Sequence, residues 1–145
     1  MQTFLPYESF AESARSLDRA RLGKQRVEGM QILKACVYRS AWGNHPAVLM
    51  WRGYEKALHA YVRTICFEWT DRGYKDTVAE KVLKFCQDEG VLDEELVFPP
   101  WLGDERFHLS HRSNLIRKDA DFYGRLWPDV PADLPYVWPV RKKEN

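Results

Sequence analysis

The sequence lacks any uninterrupted run of 18 apolar residues, which is the length that a membrane-spanning helix needs. Its first ten residues, MQTFLPYESF, also lack the basic segment and following apolar run of a secretion signal. We therefore expect a cytoplasmic protein that makes no contact with a membrane. With 145 residues, 45% apolar and 30% charged, the chain has the length and composition of one globular domain over residues 1–145.

Cysteine is scarce and odd in number, with Cys36, Cys66 and Cys86 each in a helix-like pattern. This spacing predicts three buried thiols rather than a disulfide or a metal framework. The chain also lacks a glycine-rich phosphate loop and a recognisable Ser/His/Asp arrangement. His108 and His111 lie one helical turn apart but match no zinc pattern, so we expect neither a metal nor a cofactor.

Alternation of apolar and polar residues never continues beyond a few positions, so the sequence predicts no half-buried strand. Apolar spacings of three and four predict helices almost throughout. The first predicted helix follows Pro6 and Ser9 and ends at about Leu17, the second runs from Asp18 to about Arg39, and the third begins at Pro46. The fourth follows Gly53 and ends at Gly73, and the fifth covers 77–89 and ends at Gly90. The sixth runs from Asp104 to about Lys118, and the seventh begins at Asp119 or Asp121. The stretches SAWGNHP, from Ser40, and VFPPWLGDE are predicted as a turn and a loop.

From Trp127 onward the chain holds four prolines and the stretch PYVWP. This composition predicts an extended, aromatic and proline-rich C-terminal tail that packs on the body of the protein, because large aromatic rings are costly to leave in water. The predicted fold class is therefore all-α, a compact helical domain with that tail. Five aromatic residues are predicted as core, with stacking on bases as the alternative: Trp101, Tyr123, Trp127, Tyr136 and Trp138.

The net charge of +1 conceals a segregation of charge along the chain. Residues 15–39 hold seven Lys or Arg against two acids, and residues 106–118 hold four cations, two histidines and no acid. These two basic segments form one polyanion-binding face if the fold joins them, and separate solvated faces if it does not. The candidate DNA contacts are Arg21, Lys24, Gln25, Arg26, His45, His111, Arg112, Asn114, Arg117 and Lys118.

The stretch LGKQRVEG, residues 22–29, carries two glycines and one glutamate inside the longest predicted helix. Helical geometry predicts an apolar face of Leu22, Val27, Met30, Leu33 and Val37, opposite a polar face of Arg21, Lys24, Gln25 and Glu28. Taken alone, Glu28 is explained by a solvated ion pair with Lys24. Gly23 and Gly29 each weaken a helix by about 0.5–1 kcal/mol, which indicates close approach of another backbone. Arg26 projects toward the apolar face and needs a carboxylate, a phosphate or an aqueous cleft.

The stretch LDRARLGKQRVEG resembles the helix that carries the catalytic glutamate in pyrimidine-dimer DNA glycosylases of the phage endonuclease V type. The stretches NHPAVLMWRGYEKALHAYVRTICFEWTDRGY, HRSNLIRKDADFYG and PYVWP are similar to further parts of that family, in the same order. The resemblance implies a DNA repair N-glycosylase, with or without abasic-site lyase activity, that acts on damaged pyrimidines such as cyclobutane dimers. It also implies double-stranded damaged DNA as partner, a monomer, and no cofactor.

The same resemblance implies Glu28 as the catalytic carboxylate and an N-terminal α-amine as the nucleophile. An α-amine has a pKa of about 7.7–8.0 against about 10.4 for lysine, so a useful fraction is neutral at physiological pH. Because Gln2 is a large side chain, we expect Met1 to be retained and its amine to react, or that of Gln2 if Met1 is removed. Two alternatives stay open: a non-catalytic nucleic-acid-binding module of this fold, and a glycosidase that acts on a free or modified nucleotide without a Schiff base.

Overall fold

A computed structural model describes residues 1–39 and 41–140. Within these residues the chain forms α-helices and two short 3-10 helices and no strand, which confirms the predicted all-α fold class. The α-helices are α1 Phe10–Ser16, α2 Arg19–Tyr38, α3 Pro46–Leu49, α4 Glu55–Asp71, α5 Val78–Asp88, α6 Glu105–Lys118 and α7 Ala120–Leu126, and the 3-10 helices are Ala41–Asn44 and Val91–Asp93. Ser40, the first residue of the predicted turn, and residues 141–145 of the predicted tail lie outside the described residues.

The helix ends follow from local chemistry. Asp18 and Asp104 cap α2 and α6, and Asp119 rather than Asp121 caps α7, each by accepting a backbone N–H of the first turn. Gly73 and Gly90 follow α4 and α5 with φ of 95° and 75°, a left-handed conformation that favours glycine and stops a helix. The local signals therefore fixed most helix boundaries to within one or two residues.

The hydrophobic core forms mainly where α2 lies along α4, which also contacts α1 and α5. Leu33 of α2 and Leu58, Val62 and Ile65 of α4 are fully buried there. Full burial of such a side chain contributes about 1.5–3 kcal/mol, so this helix pair supplies much of the stability. The three cysteines are free and buried, as the sequence predicts. No helix of the described residues has the length and apolar character needed to cross a membrane.

The buried face of α2 agrees with the predicted one only in part: Leu22 and Leu33 are fully buried, and Met30 and Val37 are partly buried against the core. Val27, expected on the apolar face, is 40% exposed, whereas Gln25, expected on the polar face, is fully buried. The residues of α2 that form the buried stripe are Leu22, Gln25, Gly29, Ile32, Leu33, Ala35 and Cys36. The prediction was wrong for Val27 and Gln25, because the buried stripe includes an amide and a glycine, which apolar spacing does not indicate.

Side chains of α4 pack directly against Gly23 and Gly29 of α2. A Cβ at Gly29 would lie 2.7 Å from Val62 Cγ2, and one at Gly23 would lie 3.0 Å from the Trp69 ring. The predicted close approach is therefore present, but it is made by side chains of α4 rather than by its backbone. Because the two glycines lack a Cβ, the side chains of Val62 and Trp69 can pack directly against the backbone of α2.

We expect Gly29→Ala to lower the free energy of unfolding by about 1–3 kcal/mol, because Val62 is fully buried and cannot move aside without strain. Gly124→Ala in α7 is the matched control, since nothing lies within 4 Å of its Cβ and alanine favours a helix by up to about 1 kcal/mol. Urea unfolding of both variants measures the difference. A gain of stability in Gly29→Ala would show that Val62 yields without strain.

The C-terminal segment, residues 128–140, begins with a turn at 128–130 and then lies against α6 without regular secondary structure. The Ser113 and Ser110 hydroxyl oxygens accept hydrogen bonds from the backbone N–H groups of Leu134 (3.0 Å) and Val137 (3.1 Å). Trp138 is half-buried against the core. This agrees with the predicted extended tail that packs on the body. Side chains of α6 therefore fix where the aromatic residues of this segment lie.

Candidate active site

A cavity of about 600 Å³ lies between the N-terminus, α2 and the C-terminal segment. Five separate parts of the chain line it: Met1, Gln2 and Phe4; Ala20, Arg21, Lys24 and Glu28 of α2; His45 before α3; Lys118 at the end of α6; and Tyr136 and Trp138. Larger depressions, of about 710 Å³ between α4 and α5 and about 720 Å³ on α7, exclude both the N-terminus and Glu28. We therefore take the 600 Å³ cavity as the candidate site.

Helix α2 supplies three side chains of charged residue types to the cavity. Arg21, Lys24 and Glu28 fall on one face because they are spaced by three and four residues. Glu28 Oε2 accepts a hydrogen bond from Gln25 Nε2 at 3.3 Å. Among the ion pairs of the described residues, none joins Glu28 to Lys24, so the simple surface pair is not what holds this carboxylate.

The N-terminus and His45 meet at the second wall. Met1 and Gln2 line the cavity beside His45. Burial lowers the pKa of His45, and the positive charge of the Met1 amine lowers it further. His45 Nδ1 accepts a hydrogen bond from the Ala47 N–H at 3.0 Å, which leaves the proton of the neutral ring on Nε2. A neutral imidazole and the N-terminal amine therefore face the same space.

The electrostatics of the cavity favour an anion. Arg21 and Lys24 come from the first basic segment, Lys118 comes from the second, and the Met1 amine adds a fourth positive group. Glu28 is the one carboxylate among the lining residues. The fold thus brings one cation of the second basic segment, Lys118, to those of the first, and it places one acid among these cations.

The C-terminal segment supplies an aromatic wall. The rings of Tyr136 and Trp138 have centroids 5.6 Å apart, and the Trp138 ring lies 6.0 Å from that of His45. Both residues are half-buried and line the cavity, although the sequence favoured a core role for them. Trp101, Tyr123 and Trp127 are buried as the core prediction has it. The two aromatic residues nearest the C-terminus are therefore the ones positioned to meet a ligand.

A family model described as pyrimidine dimer DNA glycosylase matches residues 1–81. The chain belongs to this pyrimidine dimer DNA glycosylase family. Searches of curated proteins and of solved structures returned no match. The matched residues include the N-terminus, all of α2 and His45, whereas Lys118, Tyr136 and Trp138 lie beyond them. DNA is the substrate that the glycosylase family implies.

Three residues predicted to contact DNA are buried in this glycosylase-family chain. Gln25 and His111 have no exposed surface and Asn114 is 8% exposed. Gln25 Oε1 and His111 Nδ1 accept hydrogen bonds from the N–H groups of Phe4 (2.5 Å) and Leu5 (2.9 Å). Burial lowers the pKa of His111 to about 3, so its ring carries no charge for a phosphate. The structure places these three side chains on the backbone of the protein rather than at its surface, because extended segments without a strand or helix partner draw polar side chains inward.

Asn114 and Arg117 hold the C-terminal segment instead of facing outward. Asn114 Nδ2 donates to the carbonyl oxygens of Ser110 (2.7 Å) and Leu134 (3.2 Å). Arg117 donates to the carbonyl oxygens of Ala132 and Leu134, both at 2.8 Å. Their predicted DNA contacts are therefore replaced by contacts that support the aromatic wall.

Arg26 and Arg112 are likewise engaged within the protein. Arg26 forms an ion pair with Asp76 at 2.5 Å and lies over the Trp69 ring. Of the three predicted partners of Arg26, a carboxylate, a phosphate or an aqueous cleft, the structure therefore shows the carboxylate. Arg112 donates to the Pro6 carbonyl at 2.8 Å and pairs with a glutamate of its own helix. Neither lines the cavity, which leaves Arg21, Lys24, His45 and Lys118 as the predicted contacts that do.

The two histidines of α6 serve the N-terminal segment. His108 Nδ1 donates to the Leu5 carbonyl at 2.7 Å, and its Nε2 accepts from the Gly103 N–H at 2.9 Å. With His111 on the Leu5 N–H, both polar groups of one backbone residue are satisfied by histidine. No group of three His, Cys, Asp or Glu in residues 1–39 and 41–140 is arranged to hold a metal ion.

Proposed function

We propose that this protein is a DNA repair N-glycosylase that removes damaged pyrimidines, such as those of cyclobutane dimers, from double-stranded DNA. We propose that it acts as a monomer, with the whole chain as one catalytic domain. The observation that carries the proposal is that Met1 and Glu28 line one cavity together with Arg21, Lys24 and Lys118. Membership of the glycosylase family supports the same conclusion.

Recognition in this proposal is electrostatic and aromatic. Arg21, Lys24 and Lys118 neutralise phosphates beside the lesion, which makes binding salt-dependent. Tyr136 and Trp138 stack on a nucleotide that has left the helix, a contact worth about 1–3 kcal/mol per base. Extrusion of a nucleotide costs a few kcal/mol and least at a damaged site, so stacking offsets it best where the DNA is damaged.

The chemistry begins with the neutral Met1 amine. Its nitrogen lone pair forms a bond to the sugar C1′ while the C1′–N bond breaks, and the base leaves with that electron pair and takes a proton from water. Glu28 accepts one proton from the attacking nitrogen and returns it to O4′ as the sugar ring opens. The product is a protonated imine between Met1 and C1′, with every proton accounted for.

Glu28 acts in its ionised form. Its negative charge stabilises the positive charge that develops on the sugar, inside a cavity whose other charges are positive. The imine then allows β-elimination, in which C2′ loses a proton and the 3′-phosphate leaves with the C3′–O electron pair. Hydrolysis of the imine regenerates the amine. Abasic-site lyase activity thus follows from the same nucleophile, with no cofactor.

Borohydride trapping tests the proposal. The protein is incubated with duplex oligonucleotides that carry a cyclobutane dimer or an abasic site, and borohydride is added to reduce any imine. We expect a covalent adduct that peptide mass spectrometry assigns to Met1, and the intact mass of the starting protein reports whether Met1 is present. Base release without an adduct would favour the glycosidase without a Schiff base, and salt-sensitive binding without any product would favour the binding module.

A further inference from the structure

One buried amide joins the two reacting groups of the proposed site. Gln25 has no exposed surface and lies beneath the cavity. Its Nε2 donates to the Gln2 carbonyl at 2.8 Å and to Glu28 Oε2 at 3.3 Å. The same nitrogen therefore donates hydrogen bonds both to the N-terminal segment, which begins with the Met1 amine, and to the Glu28 carboxylate.

The orientation of this amide is fixed by its other end. The Phe4 N–H lies 2.5 Å from Gln25 Oε1, and only an oxygen can accept that hydrogen bond. The Tyr61 hydroxyl lies 2.6 Å from the same oxygen and 2.7 Å from the Phe4 carbonyl, so its proton has an acceptor in either direction. The amide nitrogen is left facing Gln2 and Glu28, and its two protons match those two acceptors.

Support for the N-terminal segment does not by itself explain this arrangement. His111 and His108 satisfy the Leu5 backbone, and Trp51 donates to the Thr3 hydroxyl, yet none of these three side chains is bonded to Glu28. Gln25 alone among these supports reaches both the segment and the carboxylate. Burying an amide is favourable only when its hydrogen bonds are made, so its position on α2 constrains both partners at once.

We propose that Gln25 is a positioning residue of the glycosylase reaction, which holds the N-terminal segment and the Glu28 carboxylate in fixed relation through its two amide protons. This rests on the proposed function. Gln25 touches no substrate, so it acts through Met1 and Glu28. A displacement of about 1 Å between reacting groups is enough to lower a rate about a hundredfold.

Gln25→Glu tests the proposal with a minimal change of shape. The new carboxyl group still accepts from Phe4 and Tyr61, but it has at most one proton for the two acceptors, the Gln2 carbonyl and Glu28 Oε2, so one of these hydrogen bonds is lost. Two carboxyl groups this close share a proton that is lost only at higher pH, so the acidic limb of the pH profile of base release moves up. Tyr61→Phe is the control, because it removes a buried hydrogen bond from the same cluster and leaves the donor to Glu28 in place.

The outcomes separate positioning from support of the fold. A shifted acidic limb in Gln25→Glu, with an unshifted limb in Tyr61→Phe, supports the proposal. Equal losses of activity at every pH in both variants would overturn it, because a support that only stabilises the fold lowers the rate without moving the limb.

Methyl NMR gives a readout that needs no activity. In protein labelled at the methionine methyl groups, we expect Gln25→Glu to shift the Met1 signal while the buried Met50 signal stays in place and reports an intact fold. An unshifted Met1 signal would overturn the proposal. A wild-type protein that neither releases base nor forms an adduct would refute the proposed function instead, and the Met1 signal would still decide whether Gln25 positions the N-terminus.

Discussion

Glu28→Gln lowers the rate of base release from dimer-containing DNA by a factor of about 10²–10⁴, because the amide can neither carry the shuttled proton nor oppose the positive charge on the sugar. The substitution preserves shape, and its carbonyl oxygen can still accept the hydrogen bond from Gln25. The loss therefore reports the charge of Glu28 rather than a displaced N-terminus. Single-turnover assays with saturating enzyme measure it without contribution from binding.

Glu95→Gln is the matched control for this substitution. Glu95 is exposed and lies outside the cavity, so the same change of charge there leaves the rate of base release at its wild-type value. We also expect Glu28→Gln to bind DNA at least as tightly as the wild type, since it removes the one carboxylate from a cavity lined by cations. Undiminished base release in Glu28→Gln would remove Glu28 from the catalytic role.

The predictable part of the fold is the part that local chemistry decides. A carboxylate at Asp18 or Asp104 can cap only the helix that follows it, and Gly73 or Gly90 ends a helix through its own backbone. These signals act over a few residues and need no knowledge of distant contacts. The spacing that groups Arg21, Lys24 and Glu28 on one face is of the same kind.

The errors occurred where a distant segment determines the environment of a residue. Sequence alone predicts that Gln25 is a surface residue, because nothing in it shows that the backbone of Phe4 lies against this side chain. Sequence alone suggests that Asn114 and Arg117 contact phosphates, because nothing in it shows that the C-terminal segment lies against α6. In each case an extended segment lacks a strand partner, and polar side chains from a helix take over its hydrogen bonds.

The composition of the cavity was only half predictable for the same reason. Met1 and Glu28 were proposed together from the family resemblance and His45 as a DNA contact, and the fold brings all three to one cavity. The aromatic wall of Tyr136 and Trp138 lies more than 100 residues along the chain from Met1, and aromatic residues are more often core than ligand contacts. No local pattern distinguishes the two roles.

A chain that carries an extension before Met1 forms no borohydride adduct with dimer-containing or abasic DNA. The extension converts the amine to an amide, whose lone pair is delocalised and does not attack C1′. It also inserts each added residue, about 3.3 Å long when extended, into a cavity already lined by Gln2 and Phe4. We therefore expect complete loss of the adduct and of strand cleavage, while the exposed cations still bind DNA.

The sharpest control is the same protein before and after removal of the extension by a protease that leaves Met1 as the first residue. Cleavage restores the adduct, so neither folding nor concentration can explain the difference. It also restores the charge of the amine, which lowers the pKa of His45, so the His45 resonance titrates at higher pH in the extended form than in the cleaved one. An adduct of undiminished yield in the extended form would mean that the Met1 amine is not the nucleophile, and peptide mass spectrometry would then assign the adduct to a lysine of the cavity, Lys24 or Lys118, or to the α-amine of the extension.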